Sequence, residues 1–191
     1  MGEHPTRTAL LDAALRLADE HGLGGVSVND IVAEAGVAKG TFYVHFVDRA
    51  ALIIAIHQRF YDELERTMAL AVDGMAPGTD RLLTGAVAYL DACLEAIGVK
   101  AVLIEARTDP AVAIEMARRT EHLARLAEPD FTTDRFSQPA VAARLYMALV
   151  SEAALIELEV GVAQPTVRST IGDYVREPGR AGGRGRVRDH R

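Results

Sequence analysis

Residues 27–46 read Ser27-Val28-Asn29-Asp30-Ile31-Val32-Ala33-Glu34-Ala35-Gly36-Val37-Ala38-Lys39-Gly40-Thr41-Phe42-Tyr43-Val44-His45-Phe46. Ser27 has the chemistry of a helix N-cap, with Asp30 three residues on as a capping-box partner in place of the usual Glu. A short helix carrying Ile31, Val32 and Ala35 follows, and Gly36 suits its left-handed end. A second short helix covers about Lys39–His45. Two short helices meeting at a glycine turn have the spacing of a helix-turn-helix, whose second helix enters a DNA major groove. Ile31, Ala35, Val37, Phe42 and Phe46 are placed to pack inward and fix the crossing. That leaves Lys39, Thr41, Tyr43 and His45 on the outer side. Gly40 has no side chain, so backbone and DNA can approach closely.

Outward from this stretch, residues 7–52 resemble the DNA-binding domain of the TetR family of transcriptional regulators. The string from Ile31 to Phe46 carries the resemblance, followed by Asp48-Arg49 and Leu52. The resemblance implies an all-α chain: an N-terminal three-helix helix-turn-helix DNA-binding domain, then a C-terminal helical bundle for ligand binding and dimerisation. It also implies residue roles. Ser27 would touch a phosphate at the start of the second helix. Lys39, Gly40 and Thr41 would face bases or backbone. Tyr43, His45 and Arg49 would hold phosphates, Arg49 at a helix N-terminus whose dipole adds to the attraction. Arg7 would reach the backbone from the first helix. The chain departs from the family pattern at three positions: Ala38 where Ser is common, Val44 where an aromatic or basic residue is common, and Ala18 where a large aromatic is common.

Helical periodicity extends along the rest of the chain. Leu10, Ala13, Ala14 and Leu17 mark one face of a first helix that stops at the glycines after His21. Asp48 reads as the N-cap of a long helix through about Val72, with Leu52, Ile56 and Phe60 on one face. Gly74-Met75-Ala76-Pro77-Gly78 is the sharpest break in the chain. Further helices are expected near 79–97, 99–107, 110–127, 138–161 and 166–176, with an ordered loop at 128–138. The expected division is 1–50 for DNA binding, 51–176 for ligand binding and dimerisation, and 177–191 as a disordered Arg/Gly-rich tail.

Composition narrows the function classes. The chain has 191 residues, one cysteine and a net charge of −6. A single cysteine excludes an internal disulfide and fits a reducing compartment. Uncharged runs stay far below the ~20 residues of a membrane helix. Asp12, Arg16 and Asp19 interrupt the stretch where a signal peptide would need apolar residues. A cytoplasmic protein without a membrane partner is therefore expected. The six arginines of residues 176–191 give that end a net charge of +4. Two readings stand for it: a solvated end without a role, or an arm touching DNA phosphates without sequence preference. Residues 1–50 carry four cations against seven acids, so DNA binding must rest on placement rather than bulk charge. If Arg7, Lys39 and Arg49 each meet a phosphate in both halves of a dimer, the salt slope is about −5.

In the C-terminal half, 16 of the 21 residues from 140 to 160 are apolar. A helix this apolar must be covered on more than one side. Together with the segment 166–176 it is expected to form a two-fold homodimer through a four-helix bundle. The interface residues expected are Val141, Leu145, Ala148, Leu149, Glu152 and Ile156 on the long helix, with Val167, Ile171 and Tyr174 on the last. By the resemblance, the helices between 79 and 127 enclose a cavity for a hydrophobic small-molecule effector. Its candidate lining is Phe60, Leu64, Met68, Tyr89, Cys93, Ile97, Leu103, Met116 and Tyr146. His57, His122 and Cys93 lack metal-ligand spacing. Glu105, Arg107, Asp109 and Glu115 stand without a nucleophile or phosphate loop. No enzyme activity, cofactor or metal is expected. The sequence reads as a ligand-responsive regulator, most simply a repressor released from a near-palindromic double-stranded DNA operator. A constitutive DNA binder with no ligand pocket is the alternative.

Overall fold

The computed structural model describes residues 4–22, 26–96, 104, 109–132 and 136–176. Among these residues eight α-helices and one 3-10 turn form the fold, with no strand. They are α1 (Pro5–His21), α2 (Val28–Glu34), α3 (Lys39–His45), α4 (Arg49–Ala71), α5 (Thr79–Glu95), α6 (Pro110–Ala127), the 3-10 turn Glu128–Asp130, α7 (Pro139–Val160) and α8 (Pro165–Val175). The sequence places its start and stop signals at these boundaries. Ser27 and Asp30 form the full capping box of α2. The Asp48 carboxylate accepts from the Ala51 N–H at 2.7 Å and opens α4. Asp109 caps α6 just before Pro110, where the missing proline N–H costs nothing. Gly22 and Gly36 take positive φ after α1 and α2. The expected helix at 99–107 lies outside the described residues apart from Ile104, which is helical, and so does the tail 177–191. The loop expected at 128–138 begins with the 3-10 turn, because Pro129 tolerates a tight turn but not a continuing helix.

The core explains why α4 matters. Leu10, Leu11, Ala13 and Ala14 of α1, Ile31 of α2, and Phe42 of α3 are all buried. The first half of α4 closes this cluster with Leu52, Ile53 and Ile56. Its second half turns Tyr61 and Leu64 into the larger bundle, where α4 packs on α5 and α6. One rigid helix thus belongs to both halves of the molecule. Ala18 is buried at 6% exposure without the bulk of an aromatic.

α5, α6 and α8 pack around α7. A buried ion pair fixes the last two helices together. Arg168 of α8 grips Glu157 of α7 with two hydrogen bonds of 2.8 Å, and the Gln164 N–H donates to the same carboxylate at 2.8 Å. Arg168 also donates to Asp91 of α5 at 2.7 Å. Burial pushes the Glu157 carboxyl upward, but the hydrogen bonds from Arg168 and the Gln164 N–H outweigh it and hold it below its usual range. Two charges out of water persist only with this degree of pairing.

Candidate functional site

The helix-turn-helix presents the surface that its sequence implies. Phe42 and Phe46 are 0% and 3% exposed, with ring centroids 5.5 Å apart. Val37 and Ala35 pack against the same cluster. This apolar base leaves the opposite face of α3 to solvent. Lys39 and Gly40 are exposed, Tyr43 is 53% exposed and Val44 79%, while Thr41 and His45 are half-buried. A Cβ added at Gly40 would meet nothing within 4 Å, so the approach to this turn is open. Ala38 gives α3 no side-chain cap, as its methyl requires.

Three of the residues implied by the resemblance have structural duties of their own. Ser27 donates its hydroxyl proton to Asp30 at 2.6 Å, and the same oxygen faces the Asp30 N–H at 3.3 Å. A phosphate contact through that hydroxyl would have to displace the capping bond. Hydrogen bonds from Ser27 hold the Asp30 carboxyl below its usual range. Arg49 donates from Nε to the Val26 carbonyl at 3.0 Å, tying the start of α4 to the entry of α2. The Arg7 guanidinium lies 5.1 Å from the centre of the Phe46 ring, a cation–π distance. His45 is brought against His4, ring centres 5.0 Å apart. Lys39, Gly40 and Tyr43 therefore form the open centre, with Arg7, Ser27 and Arg49 on its supports.

The cavity expectation needs correction. Leu64, Tyr89 and Cys93 are at most 2% exposed and fill solid core, and Met116 packs against that core. Ile97 and Leu103 lie outside the described residues. Phe60 lines a different cleft, of about 620 Å³, with Arg7, Leu15 and Arg59 between α1 and α4. Among the described residues of that expected lining, only Met68 and Tyr146 reach the cleft enclosed by α4, α5, α6 and α7, which measures about 300 Å³. Its other walls are Glu65, Ala69, Val72, Leu82, Gly85, Leu123, Leu126, Ala127 and Met147, with Arg81 and Asp130 at one end. Periodicity identifies apolar faces, but not where facing side chains fail to meet. Arg81 and Asp130 lie 49 residues apart and carry no sequence signal of their partnership.

That polar end is well built. Asp130 accepts from Arg81 Nε at 2.6 Å, Arg81 Nη2 at 2.8 Å and the Gly78 N–H at 2.8 Å. Hydrogen bonding to Asp130 raises the Arg81 guanidinium above its ordinary value. Tyr146 donates to the Leu82 carbonyl at 2.6 Å, and burial pushes its phenol strongly up, with the Asp130 charge adding to the shift. On the opposite wall a polar seam joins α4 to α6. Gln58 meets Glu115 at 3.4 Å, Asp62 pairs with Arg119, and Glu65 meets His122 at 3.1 Å. Every rung spans 57 residues, so the two helices run parallel and in step.

The expected partner face is largely exposed. Val141, Leu145 and Ile156 of α7 are 53%, 66% and 40% exposed, and Ala148 and Glu152 share their side. Tyr174 of α8 is 67% exposed. Leu149 and Val167 are half-buried and border a groove between the two helices. Ile171 differs from the expectation: it is 2% exposed, because α8 turns it into the subunit's own core. No described helix is long and apolar enough to cross a membrane. Among the described residues no group of three or more His, Cys, Asp and Glu is placed to hold a metal ion.

Comparison with known proteins agrees with this geometry. Residues 10–56 match the bacterial regulatory proteins of the tetR family. The transcriptional repressor DhaR of Mycobacterium sp. (strain GP1) is 32% identical over 105 residues, which is 54% of this chain and 51% of that protein. The transcriptional repressor KstR2 of Rhodococcus jostii (strain RHA1) is 31% identical over 102 residues, 51% of this chain and 50% of that protein. The chain thus spans about half the length of these curated relatives. A crystal structure assigned to the TetR family, from Rhodococcus sp., superposes with a TM-score of 0.74 over 90% of this chain and 99% of its own, at 21% identity. That likeness extends the shared fold past the matched segment into the larger bundle. Residues 10–56 thus carry the helix-turn-helix segment of the bacterial tetR-family regulatory proteins, on an all-α fold shared with the superposed structure.

Proposed function

We propose that the protein is a ligand-responsive transcriptional regulator, acting as a homodimeric repressor that a small molecule releases from a near-palindromic operator. Residues 1–50 act as the reading head and 51–176 as the effector and dimerisation unit. The observation that carries the reading is the open face of α3: Lys39, Gly40 and Tyr43 stand clear on a helix held by buried Phe42 and Phe46. A two-fold axis through the α7 and α8 faces sets two such helices to read successive major grooves. The exposed apolar stripe of Val141, Leu145 and Ile156 supports that pairing.

The regulatory step follows from α4. Its N-terminus abuts the helix-turn-helix, and its Glu65 and Met68, with the C-cap residue Val72, line the cleft. An occupant that alters the Glu65–His122 rung shifts α4 relative to α6, and with it the separation of the reading heads. The effect on DNA equals the occupant's differential affinity for the free and DNA-bound shapes. The same cleft weighs against a constitutive binder. The repressor names of DhaR and KstR2 favour repression over activation.

The test uses a duplex selected from a random pool by the full chain. Lys39→Ala and Tyr43→Ala each abolish retardation of that duplex, while sedimentation still reports a dimer. Unchanged retardation by both variants overturns the site assignment, and a monomeric wild-type chain overturns the two-headed reading.

A further inference from the structure

The effector cleft has a polar end whose charge is already spent. Asp130 takes two bonds from Arg81 and one from the Gly78 N–H. Its side chain is only 4% exposed, against 22% for Arg81. The pair is therefore locally neutral. A buried carboxylate entering beside it would find no uncompensated cation and would lie close to the Asp130 charge. Arg81 still has donor capacity: Nε and Nη2 are engaged, whereas Nη1 makes no hydrogen bond among the described residues. Across the cleft, Glu65 is held by His122 at 3.1 Å and lies 3.7 Å from Arg119. An entering ammonium would have to compete with both. The remaining walls, Met68 and Met147 among them, are apolar and adaptable. A volume of about 300 Å³ lies at the small end of ligand sites.

We propose that this cleft selects a small uncharged molecule, apolar along most of its length with one hydrogen-bond acceptor at its end, and that the Arg81–Asp130 pair orients it and rejects carboxylates. Arg81 donates to the acceptor, and Asp130 is the specificity determinant because it cancels the charge that would attract an anion. Burying a carboxylate head group in this cleft removes it from water without a matching counter-charge, and an ammonium meets only Glu65, already bonded to His122 and close to Arg119. The inference rests on the ligand-responsive reading for its biological use, but the selectivity can be measured without DNA.

Calorimetric titration of the full chain with octan-2-one, octanoate and octylamine tests it. Octan-2-one is expected to bind about tenfold more tightly than either ion. Asp130→Asn leaves Arg81 its charge without its counter-ion, and the order inverts in favour of octanoate. Arg81→Met removes the donor and lowers octan-2-one affinity about tenfold, as expected when a polar group loses its hydrogen-bond partner. It provides the readout if Asp130→Asn fails to fold. Octanoate or octylamine binding the wild-type chain as well as the ketone, or no binding by any of the three, overturns the proposal. Release of the selected duplex is scored separately. A ketone that binds without releasing DNA leaves the selectivity intact and sinks the ligand-responsive reading. An octanoate that binds best and releases DNA does the reverse.

Discussion

The helix-turn-helix and the proposed effector cleft are built in opposite ways. The first is made from twenty consecutive residues, 27–46, whose capping box, glycine turn and buried Phe42–Phe46 pair all lie within that stretch. The second is assembled from four helices and the turn after α6, and its decisive pair, Arg81 and Asp130, meets across 49 residues. A local site can be read from spacing because helix geometry converts spacing into position. A site made by the mutual arrangement of distant helices depends on where packing stops, which no local pattern encodes. The comparison also separates stability from function. In the helix-turn-helix the buried and exposed faces of α3 divide these duties. In the bundle, the proposed mechanism gives polar contacts such as Glu65–His122 both duties at once.

The largest expected effect lies in the bundle. Arg168→Met leaves Glu157, which is 0% exposed, without its guanidinium. Breaking such a pair from one side costs about 3–5 kcal/mol, measurable by denaturant unfolding. Its pH dependence has a definite sign. Glu157 is held below its ordinary range in the folded chain, so the pair stabilises above that range and the gain is lost as pH falls through the folded-state value. The variant should lose this acid-side dependence. A wild-type stability flat between neutral and strongly acidic pH would break the assignment.

The next effect sharpens the local half of the comparison. Ser27→Ala removes the cap of α2 and should cost about 0.5–2 kcal/mol. If capping is the main duty of Ser27, affinity for the selected duplex falls no more than the added unfolding explains. A loss of affinity at full helicity would return Ser27 to the phosphate contacts. The smallest effect runs the other way. Ala38→Ser supplies α3 with the side-chain cap it lacks and should stabilise the chain by about 0.5–1 kcal/mol, seen as a rise in Tm. An unchanged Tm would show that the start of α3 is already satisfied by its setting.

Legibility followed the same division. The bounds of α3 and α6 coincide with the sequence reading, because Gly36, Asp48, Asp109 and Pro110 are strong punctuation. The exposure of Tyr43 and the burial of Phe42 follow directly from helical period. The Ser27–Asp30 capping box is legible in the sequence, whereas the Arg49 bond to Val26 and the Arg7 contact with Phe46 are not. Of the expected cavity residues that are described, only Met68 and Tyr146 line the cleft. Leu64, Tyr89 and Cys93 share the apolar character of a pocket wall, yet they close onto neighbours instead. Ile171 shows the same limit on α8: periodicity puts it on an apolar stripe, and only the packed structure says that the stripe faces inward.

In the proposed complex, DNA covers the outer face of α3. Val44 stands on that face at 79% exposure, and the chain's one cysteine, Cys93, is buried. A Val44→Cys variant therefore carries a single accessible thiol, whose rate of modification reports what lies over α3. Rapid modification of the free protein and strong protection by the selected duplex are expected, with no protection by an unrelated duplex at moderate salt. Equal rates with and without the selected duplex, under conditions where it is bound, would contradict it.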